Sequence, residues 1–337
     1  MSTAANQPHR FTDDQLLMLI RRAFTCDKPT QIHPYASVVG GKLVVAQVKR
    51  DVCNRLRQLV ATDFAKAQIK FEYLVRPRGR CRRNRDLVVS NKCLLATQMA
   101  KDVGLRIKTF LDESFLHESI RPFFNNKFEF YPGGRRFRVN DKNSRSDSAW
   151  HPDAQINFCH PRIPAIVIDV QIGGNAGDAM RRAFDFLERS SGHVRVVFSL
   201  HVQLQEEETV SQEATSPRIP SLSNFGLTNL REGDEVWFSA YRLWISPETK
   251  IAYADLDMPY EQIYPERSPS YVVLDWHDLS SQSWDKVVTE KAHLWANLED
   301  EKKKQLCLDP PSACFDISEL TRCIENAVQT LNEEEEE

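Results

Sequence analysis

Two residues near the middle of the chain, Asp169 and Gln171, have the types and spacing of a chemically active pair. They belong to residues 164–172, an apolar run rich in branched side chains that predicts a strand. Alternation along that strand places both side chains on one face. Because burying an unpaired carboxylate costs several kcal/mol, Asp169 requires a cation, a metal ion or strong hydrogen-bond donors.

A second acid, Asp153, follows Pro152 at the start of another predicted strand, residues 153–158. If this strand pairs with residues 164–172, the two carboxylates converge at one edge of a sheet. Carboxylates about 4–6 Å apart repel each other unless they share a proton or a cation, and Mg²⁺ prefers oxygen ligands with some retained water. Such an ion would polarise a phosphoryl oxygen and lower the pKa of an attacking water. The structural alternative is a turn aspartate after proline and a strand aspartate paired with arginine.

The elements that must position these residues follow from periodicity. A helix at about 178–189 is predicted to turn Met180, Ala183, Phe184 and Leu187 toward the sheet, with Arg181 and Arg182 beside or opposite that stripe. Other predicted helices cover residues 11–24, 42–74, 90–119 and 317–331. Other predicted strands cover residues 127–132, 135–139, 193–204, 235–245 and 271–279. Gly133 and Gly134 are predicted to join the first two of these strands as a hairpin.

Charge is distributed unevenly along the chain. Residues 1–150 carry 28 Lys and Arg against 14 Asp and Glu, whereas residues 151–337 carry 16 against 33. A basic half favours a polyanionic partner, because phosphate binding releases counterions. The candidate phosphate contacts lie in the loop 76–85 and beyond it: Arg76, Arg78, Arg80, Arg82, Arg83, Arg85, Arg135, Arg136 and Arg138. The alternatives are a solvated loop, a nuclear-targeting segment, or two halves that neutralise each other.

Composition excludes several classes of protein. The chain is 41% hydrophobic and 27% charged, without a run of eighteen apolar residues, and its start is too polar for a secretory signal. The eight cysteines include no CxxC pair, which favours reduced thiols inside a cell. We therefore expect an intracellular protein, nuclear or cytoplasmic, with no membrane partner.

The succession of Pro152-Asp153, a hydrophobic strand bearing Asp169-Val170-Gln171, an amphipathic helix and a further strand resembles the core of the PD-(D/E)XK nuclease superfamily. The resemblance covers about residues 105–204. It implies a mixed α/β fold with a restriction-endonuclease-like αβββαβ core, and Asp153 and Asp169 as ligands of Mg²⁺ or Mn²⁺. Gln171 stands at the position of the catalytic lysine, where it can orient water but carries no charge.

The resemblance also implies a third acid. Several members of the superfamily carry one on the helix before the first strand, where Glu113 or Glu118 could serve, and Glu129 in the first strand is another candidate. Each has an ordinary alternative as a solvated surface glutamate.

The predicted organisation is a basic helical region at 1–104, the nuclease-like core at 105–204 and a surface loop or linker at 205–223. A C-terminal α/β extension at 224–332 is expected to pack on the core, and a disordered acidic tail follows at 333–337.

The leading hypothesis is Mg²⁺-dependent hydrolysis of nucleic-acid phosphodiester bonds, with DNA favoured over RNA. The alternatives are a nuclease-derived module that binds nucleic acid or protein without catalysis, and an intracellular scaffold whose oppositely charged halves dock on each other.

Overall fold

The computed structural model describes a large part of the chain with defined gaps: residues 12–25, 36–39, 42–48, 52, 55–56, 69–74, 85–91, 93–115, 123, 128–135, 137–141, 146–158, 163–173, 176–190, 192–205, 229–245, 252–265, 270–280, 284–308 and 311–336. By its internal contacts the chain divides into two compact units. The first comprises residues 1–94, 138–151 and 207–227, and the second comprises residues 95–137, 152–206 and 228–337.

The described residues form fourteen strands and eight helices. The strands are β1 Ala36–Val39, β2 Lys42–Val48, β3 Ile69–Leu74, β4 Arg85–Asn91, β5 Glu129–Pro132, β6 Phe137–Asp141, β7 Ser146–Trp150, β8 Ala154–Asn157, β9 Ile166–Ile172, β10 Val196–Gln203, β11 Glu235–Ile245, β12 Ala252–Tyr264, β13 Tyr271–Asp275 and β14 Ser312–Asp316. The helices are α1 Asp13–Thr25, α2 Leu94–Phe115, α3 Ala176–Arg189, α4 Trp276–Leu279, α5 Trp284–Glu290, α6 Ala292–Ala296, α7 Asp300–Leu308 and α8 Ser318–Glu336. The mixed α/β class predicted from the sequence is confirmed.

The first unit is built on a six-stranded sheet in the order β1, β2, β4, β3, β7, β6. The predicted helix over residues 42–74 is therefore wrong, because β2 and β3 lie within that range, and the N-terminal region is not purely helical. Closely spaced branched residues such as Val44, Val45 and Val48 suit a pleated surface better than a helix. Their three-to-four spacing matches a helical stripe only by coincidence.

The second unit is built on a mixed six-stranded sheet in the order β12, β11, β10, β9, β8, β5. Strands β9 and β10 are parallel, and the other neighbouring strands are antiparallel. Strands β11 and β12 come from the predicted C-terminal extension, yet they are strands of this same central sheet. The region after residue 224 thus completes the core of the second unit.

Helices cover the two faces of the central sheet. On one face, Gly104 of α2 lies so close to the Phe130 ring that an added Cβ would clash with it. On the other face, Phe184 of α3 packs edge-on against Tyr241, with ring centroids 5.6 Å apart. The hydroxyl of Tyr260 donates to the carbonyl of Ala176 at 2.6 Å and so ties the first residue of α3 to β12. Helix α3 is thereby fixed over the face that carries the candidate site.

A smaller sheet of β13 and β14 adjoins this core within the second unit. A buried ion pair joins the Arg242 guanidinium of β11 to the Asp278 carboxylate at 2.7 Å, and Arg242 also donates to the Val273 carbonyl at 2.6 Å. Asp278 completes a capping box with Asp275 at the start of α4. One carboxylate therefore both caps the helix and neutralises a strand arginine.

The hairpin predicted at Gly133 and Gly134 is wrong. Both glycines adopt positive φ, 77° and 64°, but β5 pairs with β8 and β6 belongs to the sheet of the first unit. An added Cβ on Gly134 would clash with the carbonyl of Pro152, so the turn is built where two backbones pass closely.

Three further expectations concern the edges of elements. Helix α8 runs to Glu336, through most of the glutamate run predicted to be disordered. The predicted strand 271–279 ends at Asp275 and continues as α4. The predicted linker 205–223 lies outside the described residues except for Gln205.

Within the described residues, every helix is too short or too polar to span a lipid bilayer.

Candidate functional site

The two aspartates lie on or directly before neighbouring strands of the central sheet. Strand β8 pairs with β9 in the register Ala154 to Ile168, and continuing that register by one residue places Asp153 opposite Asp169. The side-chain carboxylate of Asp153 accepts a hydrogen bond from the backbone N–H of Val170 at 2.9 Å. Two acids that are sixteen residues apart in the chain thus meet across neighbouring strands.

Asp169 makes a short ion pair with a residue on the helix above it. The Nε of Arg182 in α3 donates to Asp169 Oδ2 at 2.6 Å, and their side chains are 11% and 5% exposed. The Arg182 guanidinium also lies over the Phe186 ring, 4.9 Å from its centroid. The other oxygen, Asp169 Oδ1, is buried and has no hydrogen-bond partner in the described part of the chain.

Gln171 lies on the same face as Asp169, two residues further along β9, and it is buried. Its amide nitrogen is 3.4 Å from the carbonyl of Gly173, a long hydrogen bond within the same turn. The side chain contributes a neutral polar group beside the acids. The positive charge near Asp169 comes from Arg182 on the helix.

Polar residues continue this face across the next two strands. The register pairs Asp169 with Ser199, and Ser199 with Ser239, while Gln171 pairs with His201. All of these side chains are buried. The face under α3 therefore carries a polar strip, whereas the opposite face carries aliphatic and aromatic residues.

The sequence offered an arginine partner for Asp169 as the structural alternative without identifying Arg182, and it did not predict the polar strip. A signal for the strip was present, because Ser199 and His201 interrupt an apolar strand two residues apart, as Asp169 and Gln171 do. No comparable signal marks Arg182, whose neighbour Arg181 has the same charge.

The two accessory acids that the structure describes, Glu113 and Glu129, are exposed and make contacts of their own. Glu113 on α2 is exposed and lies 4.0 Å from Arg106. Glu129 is exposed and accepts a hydrogen bond from the Tyr131 hydroxyl at 2.5 Å. It pairs with Asn157, four residues beyond Asp153 and so roughly 13 Å along the strand. Glu118 lies outside the described residues.

The predicted phosphate contacts are described only in part. Arg135 is exposed, and its guanidinium lies over the Tyr131 ring, 3.7 Å from the centroid. Its backbone N–H donates to the side chain of Gln155 at 3.0 Å, next to the strand that follows Asp153. Arg85 opens β4, where the end of a loop was predicted, and Arg138 lies in β6. The remaining positions lie outside the described residues: Arg76, Arg78, Arg80, Arg82, Arg83 and Arg136.

The donor set suits a hard cation that prefers oxygen ligands. Asp153 directly precedes β8 and Asp169 lies in the neighbouring strand β9, and one buried oxygen of Asp169 lacks a hydrogen bond in the described residues, which is where a cation would compensate the buried charge. A preformed group of three or more His, Cys, Asp or Glu ligands is not found among the residues that the structure describes. Water and substrate oxygens would have to complete the coordination of a bound ion.

Comparison with known proteins adds no assignment to this geometry. No protein-family model, no curated protein and no solved structure matches the chain.

Proposed function

We propose that the second unit is a nuclease core of the restriction-endonuclease-like type. The order of its elements supports this proposal, since α2, β5, β8, β9, α3 and β10 follow one another as αβββαβ when the excursion through β6 and β7 is set aside. The four strands also lie side by side in chain order, with the parallel pair last. The acids lie on the second and third strands of this succession.

The single observation that carries the proposed function is the placement of Asp153 and Asp169 at neighbouring strands, with Asp169 Oδ1 buried and lacking a hydrogen bond in the described residues. Mg²⁺ or Mn²⁺ would be held by these two carboxylates. When bound, such an ion supplies Lewis acidity for a phosphoryl oxygen and makes a coordinated water easier to deprotonate.

The other roles in binding and hydrolysis would be filled by residues of this chain. Asp153 accepts a hydrogen bond from the Val170 backbone, and Asp169 accepts one from the Arg182 guanidinium. Gln171 would orient the attacking water through its amide, in place of a lysine. The proposed substrate is nucleic acid, with DNA favoured over RNA. The basic N-terminal half and the exposed Arg135 would contact its phosphates without reading sequence.

The test is cleavage of supercoiled plasmid by the full chain with Mg²⁺ or Mn²⁺. Asp153→Asn is the most informative variant, because its amide oxygen can still accept the hydrogen bond from the Val170 backbone N–H while the negative charge of the carboxylate is lost. We expect nicking by the wild type, loss of nicking in Asp153→Asn and Asp169→Asn, and unchanged nicking in Asp285→Asn, an exposed control on α5. Wild-type protein that leaves plasmid intact, or an Asp153→Asn variant that cleaves normally, would refute the proposal.

A second candidate function is a nucleic-acid-binding or protein-binding module that keeps the fold without catalysis. The Asp169–Arg182 ion pair favours it, because this acid already has a counter-charge and is 4% exposed. The neutral Gln171 favours it as well. Calorimetry distinguishes the two functions: the absence of heat on titrating Mn²⁺, together with retained salt-sensitive DNA binding, would select the module.

A further inference from the structure

Asp169 is a buried carboxylate with one strong cationic contact. Its Oδ2 lies 2.6 Å from the Arg182 Nε, and its Oδ1 has no hydrogen bond among the described residues. A buried carboxylate needs a compensating cation, because its hydration is lost on folding. In the arrangement described, the side chain of Arg182 provides that compensation.

A ring contact, in addition to the ion pair, holds the Arg182 side chain in place. Its side chain is 11% exposed, and its guanidinium lies against the ring of Phe186, one helical turn further along α3. The next residue toward the N-terminus offers a contrast. Arg181 is 76% exposed, and its guanidinium lies 3.9 Å from the Asp178 carboxylate. Of these two adjacent arginines, Arg182 is the one fixed at the proposed metal site.

We infer that Arg182 is a resident counter-ion of Asp169 that competes with the divalent cation for this carboxylate. The inference rests on the proposed function, because it assumes that Asp169 is a metal ligand. A guanidinium and a divalent cation on the same carboxylate repel each other. Binding of the metal ion therefore requires Arg182 to loosen its contact with Asp169, which lowers the affinity of the wild-type site.

The alternative role for Arg182 is to orient Asp169 for metal binding. The two roles predict opposite effects when the charge is removed. A competitor lowers the affinity for the metal, so its removal tightens binding. An orienting residue raises the affinity, so its removal weakens binding. A residue with a purely structural role would alter stability and leave the intrinsic affinity of the folded protein unchanged.

The experiment is a titration of Mn²⁺ into metal-free full-length protein by calorimetry, with Arg182→Gln compared with the wild type. Glutamine retains a donor for Asp169 Oδ2 and removes the charge. The dissociation constant should fall on the order of tenfold, which is the repulsion expected between single and double positive charges about 5 Å apart even in bulk water. Arg181→Gln is the matched control and should bind Mn²⁺ as the wild type does.

Thermal unfolding provides a second readout that requires no catalysis. The metal-free Arg182→Gln variant should melt below the wild type, and saturating Mn²⁺ should raise its midpoint by more than it raises the wild-type midpoint. Should Arg182→Gln fail to fold, Arg182→Lys serves instead. Its ammonium group keeps the counter-charge but lacks the planar contact with Phe186, so it should release Asp169 more readily and bind Mn²⁺ more tightly than the wild type.

The outcomes separate the inference from the proposed function. The inference is overturned if the folded Arg182 variant binds Mn²⁺ as weakly as the wild type or more weakly. If the wild type binds Mn²⁺ and Asp153→Asn does not, the proposed metal site is still supported. Absence of Mn²⁺ binding in both the wild type and the Arg182 variant would overturn the two together.

Discussion

Breaking one side of the ion pair between Asp169 and Arg182 should strongly destabilise the metal-free protein. Both partners are nearly buried, and the nitrogen and oxygen are 2.6 Å apart. Breaking one side of such a pair leaves an uncompensated buried charge, which costs about 3–5 kcal/mol. Asp169→Asn and Arg182→Met should each lower the free energy of unfolding by that amount. For a unit of roughly 200 residues, the melting temperature should fall by roughly 6–20 °C.

A double-mutant cycle isolates the charge pairing from the loss of packing. The single variants Asp169→Leu and Arg182→Met are compared with the double variant, which removes both buried charges at once and should cost much less than the two single changes together. The assay is urea denaturation in the presence of a chelator, followed by circular dichroism. Arg181→Met, which removes an exposed arginine from the same helix, should change stability by less than about 0.5 kcal/mol.

The cycle can refute this reasoning directly. If the cost of the double substitution equals the sum of the two single costs, the residues are not energetically coupled. If Asp169→Asn leaves the midpoint unchanged, the carboxylate is not a buried charge that depends on Arg182.

Three further predictions concern other parts of the second unit. Asp278→Asn should lower the free energy of unfolding in urea by about 3–5 kcal/mol, because it leaves the buried Arg242 without its counter-charge. Gly134→Ala should cost about 1–3 kcal/mol more in the same assay than Gly192→Ala, since both glycines have positive φ but only the Cβ at 134 would strike a backbone carbonyl. Burial raises the pKa of the Cys323 thiol from 9.0 to about 11. Because the folded pKa lies above the unfolded one, the free energy of unfolding keeps its full value below about pH 9 and falls by about 2–3 kcal/mol as the pH approaches 11. Urea titrations at these pH values should show a smaller loss in Cys323→Ala.

The elements around the candidate site could be predicted from the sequence because their signals are local. Strands β9 and β10 are short apolar runs bounded by turn residues, and α3 has a clear helical period between them. The polar residues that interrupt β9 then identify its functional face. That the strand after Asp153 pairs with the strand bearing Asp169 was a conditional prediction from the short connection, and β8 does pair with β9.

The identity of the counter-ion depended on a rotation that the sequence does not fix. The predicted inner stripe of α3 included Met180 and Phe184, whereas Met180 is 39% exposed and Phe186 is buried. One residue corresponds to about 100° around a helix, so a small error in the stripe exchanges the positions of Arg181 and Arg182. The contact between Arg182 and Asp169 follows from tertiary packing of α3.

The first unit was harder to predict because its signals conflict. Valines spaced by three or four residues in β2 satisfy a helical pattern and a strand composition equally well. Likewise, the two glycines after β5 have the signature of a hairpin, yet the partner of β5 is β8, more than twenty residues further along the chain. Pairing between distant strands is decided by the whole sheet and leaves no local signature.

The excursion through β6 and β7 makes the two units inseparable by simple truncation. After β5 the chain leaves the central sheet, supplies two strands to the six-stranded sheet of the first unit, and returns at Asp153. A fragment of residues 95–337 would carry β6 and β7 without β3, the neighbour of β7 in that sheet, and would expose an unpaired strand edge that invites aggregation. Dissecting this protein therefore calls for deleting 138–151 and bridging the gap with a short turn.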